Sequence, residues 1–181
     1  MIHIDFVAVA EKATQEGLDA LFAEAGSLAT LEEVVDAGVI EGEAGSDFEL
    51  AFLFVLRDFA ALEPFGTNPR YSKFLQGYVA PVLRQLAGAD IRLEGEMPTI
   101  QGHASCLALI ASEETYDWEV TTALRDWAKA LSVDSRALGL AVGERQRYRG
   151  VAIAFGNTTA ARVTDEHLTS TLVTGRARSL T

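Results

Sequence analysis

Cysteine is nearly absent from this chain, and the single residue, Cys106, excludes an internal disulfide framework. It stands in the apolar run 104–111, where a buried, inert thiol is the expectation. Basic residues are scarce too. Fifteen Lys and Arg against 26 Asp and Glu leave a formal charge of −11. No Lys/Arg stripe interleaved with aromatics offsets that balance, so the chain repels nucleic-acid phosphates and anionic membrane surfaces. Neither nucleic acid nor membrane is an expected partner. No apolar run reaches the ~18 residues that span a bilayer. The N-terminus lacks the basic segment and apolar block of a secretory signal, and a cytoplasmic location is the default expectation.

Chemistry-bearing motifs are missing as well. Neither GxGxxG nor GxxxxGK[ST] occurs, so no phosphate-cradling loop is present. His103 and His167 have no Cys, His or Asp at ligand spacing, and no metal or other cofactor is expected. The Ser105-Cys106 pair lacks the glycines of a nucleophile elbow. No carboxylate pair is set by motif for acid–base work. Composition and motif alone leave open whether the chain is an enzyme.

What is present suits a well-packed α+β protein. Almost half of the 181 residues are hydrophobic, enough for one medium domain or two small ones. Residues 1–10 alternate His3 and Asp5 with Ile4 and Phe6, which reads as a strand. In 12–25, Leu18, Leu21, Phe22 and Ala25 recur at helical spacing, with Gly26 as the stop. The β-branched segment 34–40 is a second strand, and the apolar run 48–56 a third, buried on both faces. Asp58 is a candidate cap for a short helix ending at Leu62. Tyr71, Phe74, Leu75, Tyr78, Val82 and Leu86 then predict a long helix over 69–86, with Gly88 ending it and 89–93 a fourth strand. The carboxylates from Glu32 to Asp47 read as a solvated acidic edge.

The Gly/Pro-punctuated stretch 95–102 has the chemistry of a linker, after which the order of elements begins again. Residues 105–110 read as a strand and 116–131 as a helix. Strands 137–142 and 151–155 follow, joined by the polar turn 143–150. A last helix opens at Thr164. The division expected is 1–96 as a first domain, 97–103 as linker and 104–181 as an abbreviated second copy.

On the residues His3-Ile-Asp-Phe-Val, the strand 47–56, the stretch Arg57-Asp-Phe-Ala-Ala-Leu-Glu-Pro-Phe65, and Thr67-Asn-Pro-Arg-Tyr-Ser-Lys-Phe74 leading into Tyr78-Val-Ala-Pro-Val-Leu83, the first 95 residues resemble the stress-responsive A/B-barrel family. That family, called Dabb, belongs to the dimeric α/β-barrel superfamily. The resemblance implies ferredoxin-like units whose antiparallel sheets pair into a barrel, here within one polypeptide, with a homodimer of whole chains left open. A plant branch of the family closes polyketide rings with a His-Pro-x-His turn and a preceding tyrosine. Asn68, Tyr71 and Phe65 stand at those places here, so the resemblance does not carry that mechanism over. Only His3 matches the family's first-strand histidine.

The resemblance also implies a cavity, which makes His3, Phe22, Phe65, Arg70, Tyr71, Phe74 and Tyr78 candidates for lining a pocket for a small apolar or aromatic ligand. The residues also admit a plainer reading: His3 as a structural hydrogen-bonding group, the aromatics as core, Arg70 as an exposed turn residue. Three functions stay open: a small-molecule-binding protein, a cofactor-independent monooxygenase or polyketide-type cyclase, and a structural oligomer subunit.

Overall fold

The computed structural model describes residues 1–131, 133, 135–142, 147–156, 160–163 and 165–181. Eight strands form one closed antiparallel barrel with helices on its outer surface. The first four are β1 (Ile2–Val9), β2 (Val34–Gly42), β3 (Leu50–Leu56) and β4 (Leu83–Leu93). The other four are β5 (Gly102–Ala111), β6 (Ser135–Ala141), β7 (Gly150–Phe155) and β8 (Leu168–Ser179). Around the barrel they run β1-β3-β2-β8-β5-β7-β6-β4 and back to β1. The quartet β4-β1-β3-β2 has the ferredoxin-like order, and β8-β5-β7-β6 repeats it. The quartets meet at two seams, β2–β8 and β4–β6. Every described strand has two neighbours, so no exposed edge is left to template association.

Alternation along the strands sorts the interior. Ile2, Ile4 and Phe6 of β1 point into the barrel with Leu53, Ile91, Cys106, Tyr148, Ile153 and Val173. Period-2 geometry sends His3, Asp5 and Val7 to the outer face. The barrel is therefore a packed core, and Tyr148 inside it is fully buried.

Helix α1 (Gln15–Leu28) is capped by Thr14, whose hydroxyl accepts from Gly17 N. Gly26 does not stop it. Leu28 is buried one turn past Ala25 and holds the helix to its sheet. Asp58 caps a turn by accepting from Ala61 N, and the helix proper, α2 (Leu62–Thr67), lies later than the sequence suggests. Asn68 then starts α3 (Pro69–Phe74), its side chain accepting from Arg70 N and Pro69 filling the first helical position.

The long helix expected over 69–86 is shorter. A π turn (Leu75–Val79) and α4 (Ala80–Val82) follow α3, and β4 begins at Leu83. Pro81 lacks an N–H and disturbs the turn before it. Leu83–Gly88 are claimed by pairing with β1. No helix is found among the described residues after 130. Leu168–Ser179 instead forms β8, paired with β5 over ten residues. Thr164, the expected cap, lies outside the described residues, as do positions 143–146 of the expected turn. The second quartet carries α5 (Asp117–Ala130), whose Val120, Leu124 and Trp127 pack on Leu107, Leu109 and Ala152.

One two-fold exchange satisfies the register of all the strand pairs. It maps Ile2 to Ala104, His3 to Ser105, Asp5 to Leu107, Asp90 to Thr174, Arg92 to Arg176 and Val142 to Glu43. The seam bonds obey it. Val142 N donates to Asp90 O at 2.8 Å, and Glu43 N to Thr174 O at 2.7 Å.

Candidate functional site

On the outer face of the first quartet, β1 presents His3 and Asp5 on alternate residues, and β4 sets Asp90 directly across from His3. The Asn68-Pro69 start of α3 brings Tyr71 down onto them. His3 Nδ1 lies 2.6 Å from Asp90 Oδ1 and Nε2 lies 2.7 Å from the Tyr71 hydroxyl. Tyr71 donates its proton to Asp5 Oδ2 at 2.9 Å, and Asp5 Oδ1 is 3.3 Å from His3 Nε2. Each group is satisfied: the imidazolium donates from both nitrogens, and the phenol accepts once and donates once.

Burial by itself would lower the His3 pKa. The carboxylates of Asp5 and Asp90 outweigh it, raising the value to about 10. His3 is therefore a cation at neutral pH and not a base. Burial, with the same two carboxylates, pushes the Tyr71 phenol up as well. The arrangement is one cation between two carboxylates, bridged by a neutral phenol: it can hold and relay protons, and the carboxylates are its proton acceptors. Asp5 is almost fully buried, while the Asp90 side chain is 19% exposed and opens the cluster to the surface.

Of the sequence candidates, His3, Phe65, Tyr71 and Phe74 come together. The His3 ring is 5.4 Å from Phe65 and meets Tyr71 edge-on at 5.3 Å. Phe65, Phe74 and Phe54 are fully buried and pack around them. Phe22 and Tyr78 do not join the cluster. Phe22 lies on α1 against Phe52, with the Arg178 guanidinium 4.4 Å from its ring centre. Tyr78 is half-buried under the Lys73 ammonium, 5.3 Å away. Arg70 is exposed and bonds Ser27 O at 2.5 Å and Thr30 Oγ1 at 3.2 Å, fastening α3 to the end of α1.

Two members of the network were not among the sequence candidates. Asp5 is readable, since period-2 alternation puts it on the face of His3. Asp90 is not, because only the register of β4 against β1 brings it across from His3.

Two of the molecule's concavities lie at the seams. A groove of about 490 Å³ runs along β4–β6, bounded by Phe59, Arg92, Glu94, Asp117, Leu140 and Val142. Asp90 stands two residues before Arg92 on the same face of β4, and Val142 bonds it across the seam. A second groove of about 450 Å³ lies at the other seam, β2–β8, with Glu43, His103, Arg162 and Thr174 on its walls; of the two-fold positions it shares Glu43, for Val142, with the first. At the two-fold mate of the network, Ser105 and Thr174 replace His3 and Asp90 and share a neutral hydrogen bond of 3.1 Å. The ionic network belongs to one half only.

No protein-family model matches the chain, and no curated protein does. Solved structures do. An anthrone oxidase-like protein superposes with a TM-score of 0.64 at 12% identity, over 99% of this chain and 92% of its own. The fold is of the dimeric α/β-barrel type. A provisionally named monooxygenase from Lactobacillus acidophilus NCFM superposes with a TM-score of 0.54 at 12% identity, over 99% and 93% of the two chains. Another provisionally named monooxygenase, from Fusobacterium nucleatum, gives 0.54 at 13% identity, over 84% and 73%. At these identities the likeness concerns the fold.

Proposed function

We propose that this α/β-barrel chain binds a small apolar or aromatic molecule in the β4–β6 groove, beside the His3–Asp90 pair. The observation that carries the reading is the adjacency of a groove of ligand size to Asp90, the partly exposed end of a buried proton network. The stress-responsive A/B-barrel assignment of residues 1–95 is the finer family reading that accompanies it. A whole-chain homodimer would use a surface other than strand edges, since each described strand is already paired on both sides.

The network favours a second reading, cofactor-independent oxygenation, and the names of the oxidase-like and monooxygenase neighbours support it. In that chemistry an activated CH2 group loses a proton to a carboxylate, the resulting carbanion reacts with O2, and the products are a ketone and water. One oxygen atom enters the carbonyl and the other leaves as water. Asp90, two residues before Arg92 on the same face of β4, is the carboxylate of the network nearest the groove, and the His3 cation would stabilise the developing enolate.

Oxygen uptake with an anthrone, measured beside ligand-induced thermal shifts, separates the readings. Turnover that falls at least tenfold in Asp90→Asn and Tyr71→Phe, beyond any loss of folded protein, supports oxygenation. A thermal shift without turnover leaves the binding reading alone. Absence of any shift across aromatic ligands refutes both.

A further inference from the structure

We propose that the β4–β6 groove selects an aromatic carboxylate, with Arg92 as its anion anchor and Phe59 as its flat wall. The inference rests on the ligand-binding reading of this groove and adds the substrate class.

The charges around the groove decide it. Three charged side chains line it: Arg92, Glu94 and Asp117. Each carboxylate already has a cation. Arg125 Nη2 holds Glu94 at 2.8 Å, and Arg149 Nη2 holds Asp117 at 2.5 Å. Arg92 has no carboxylate partner among the described residues. Its guanidinium lies 5.4 Å from the ring centre of Phe59 and is otherwise exposed. In a chain of formal charge −11, the groove thus keeps one positive charge uncompensated among the described residues. Arginine's planar fork matches a carboxylate through two parallel hydrogen bonds.

The rest of the wall is apolar. Phe59 is 56% exposed, one of the few large hydrophobic side chains left in water. Leu140 of β6 and Val142 just past its end stand opposite. A flat apolar body would cover Phe59, Leu140 and Val142 while its carboxylate meets Arg92, and the far end of such a molecule would approach Asp90.

The β2–β8 groove supplies an internal contrast. Glu43 occupies the place of Val142, 3.6 Å from His103. Arg162 is engaged by both oxygens of Asp47, at 2.6 and 2.7 Å. That groove offers an anion a carboxylate in place of an apolar wall, so the selectivity belongs to the β4–β6 seam.

Titration calorimetry of the full chain with naphthalene-2-carboxylate, beside naphthalene-2-methanol, tests the assignment. The carboxylate is expected to bind at least tenfold more tightly than the alcohol, with affinity falling as salt rises. Arg92→Gln should abolish that preference, Arg92→Lys should keep part of it, and Phe59→Ala should weaken both probes. Arg176→Gln, at the two-fold equivalent of Arg92 but on the wall of neither groove, should change neither. Arg92 and Phe59 are exposed, so these variants fold. Equal binding of both probes, or a preference that survives Arg92→Gln, overturns the aromatic-carboxylate inference while the groove keeps its ligand-binding reading. Binding of neither probe overturns both.

Discussion

Raising the pH should weaken this protein through His3, by an amount that follows from its surroundings. The imidazole titrates near ~6.5 in an unfolded chain and at about 10 when clasped by Asp5 and Asp90. The folded state therefore keeps a proton that the unfolded state releases. The associated stability is complete below pH 6.5 and is lost as pH climbs toward 10. At about 1.4 kcal/mol for each unit of pKa difference, the whole contribution is about 5 kcal/mol. The His3 side chain is only 13% exposed, so solvent screening takes little from it. Between pH 7 and 8.5 the fall should be about 2 kcal/mol. Urea denaturation at half-unit pH steps measures it. Stopping at 8.5 keeps tyrosine out of the window, and the unfolded Cys106 thiol, near ~8.5 itself, adds only about 0.4 kcal/mol at the last step, a part that His3→Gln leaves in place. His3→Gln should lower stability at pH 7 and also flatten the slope. A wild-type stability that stays level from pH 7 to 8.5, or a slope unchanged in His3→Gln, would refute the charged clasp.

Two further outcomes test the barrel itself. At the seams, a methyl on Gly175 would run into Glu41 O and one on Gly139 into Arg92 O, both backbone atoms. Gly175→Ala and Gly139→Ala should each cost at least about 2 kcal/mol in urea denaturation; a loss under half of that would mean that the seams are looser than described. Cys106 points into the packed barrel, where burial pushes its thiol up. The native protein should ignore a thiol reagent that labels it fully in denaturant, and fast native labelling would contradict a filled barrel.

The parts of the fold legible in the sequence are those with a local period. The alternation of His3 and Asp5 with Ile4 and Phe6 marks β1 and its two faces, and the stripes of α1 and α5 mark helices. The aromatic spacing of Phe65, Tyr71 and Phe74 foretells that they meet, though as a filled layer around His3. Where a local period competes with a distant partner, the partner wins. Leu83 and Leu86 continue a helical spacing, yet β1 takes Leu83–Leu93 as a strand. The tail reads as a capped helix from Thr164, but the β-branched stretch Thr169–Val173 pairs with β5 and closes the barrel.

The sequence by itself determined which segments are strands or helices in most of the chain, the acidic surface, the buried thiol and the candidacy of His3. Those properties depend on neighbours a few residues away. Only the tertiary structure decided that Asp90 completes the His3 clasp, that Glu94 and Asp117 have cations while Arg92 has no carboxylate partner among the described residues, and that the ionic His3–Asp90 pair has the neutral Ser105–Thr174 pair as its mate. Each depends on strand register between segments tens of residues apart. Register is set by closing the whole barrel around one core, and no short window of sequence encodes that closure.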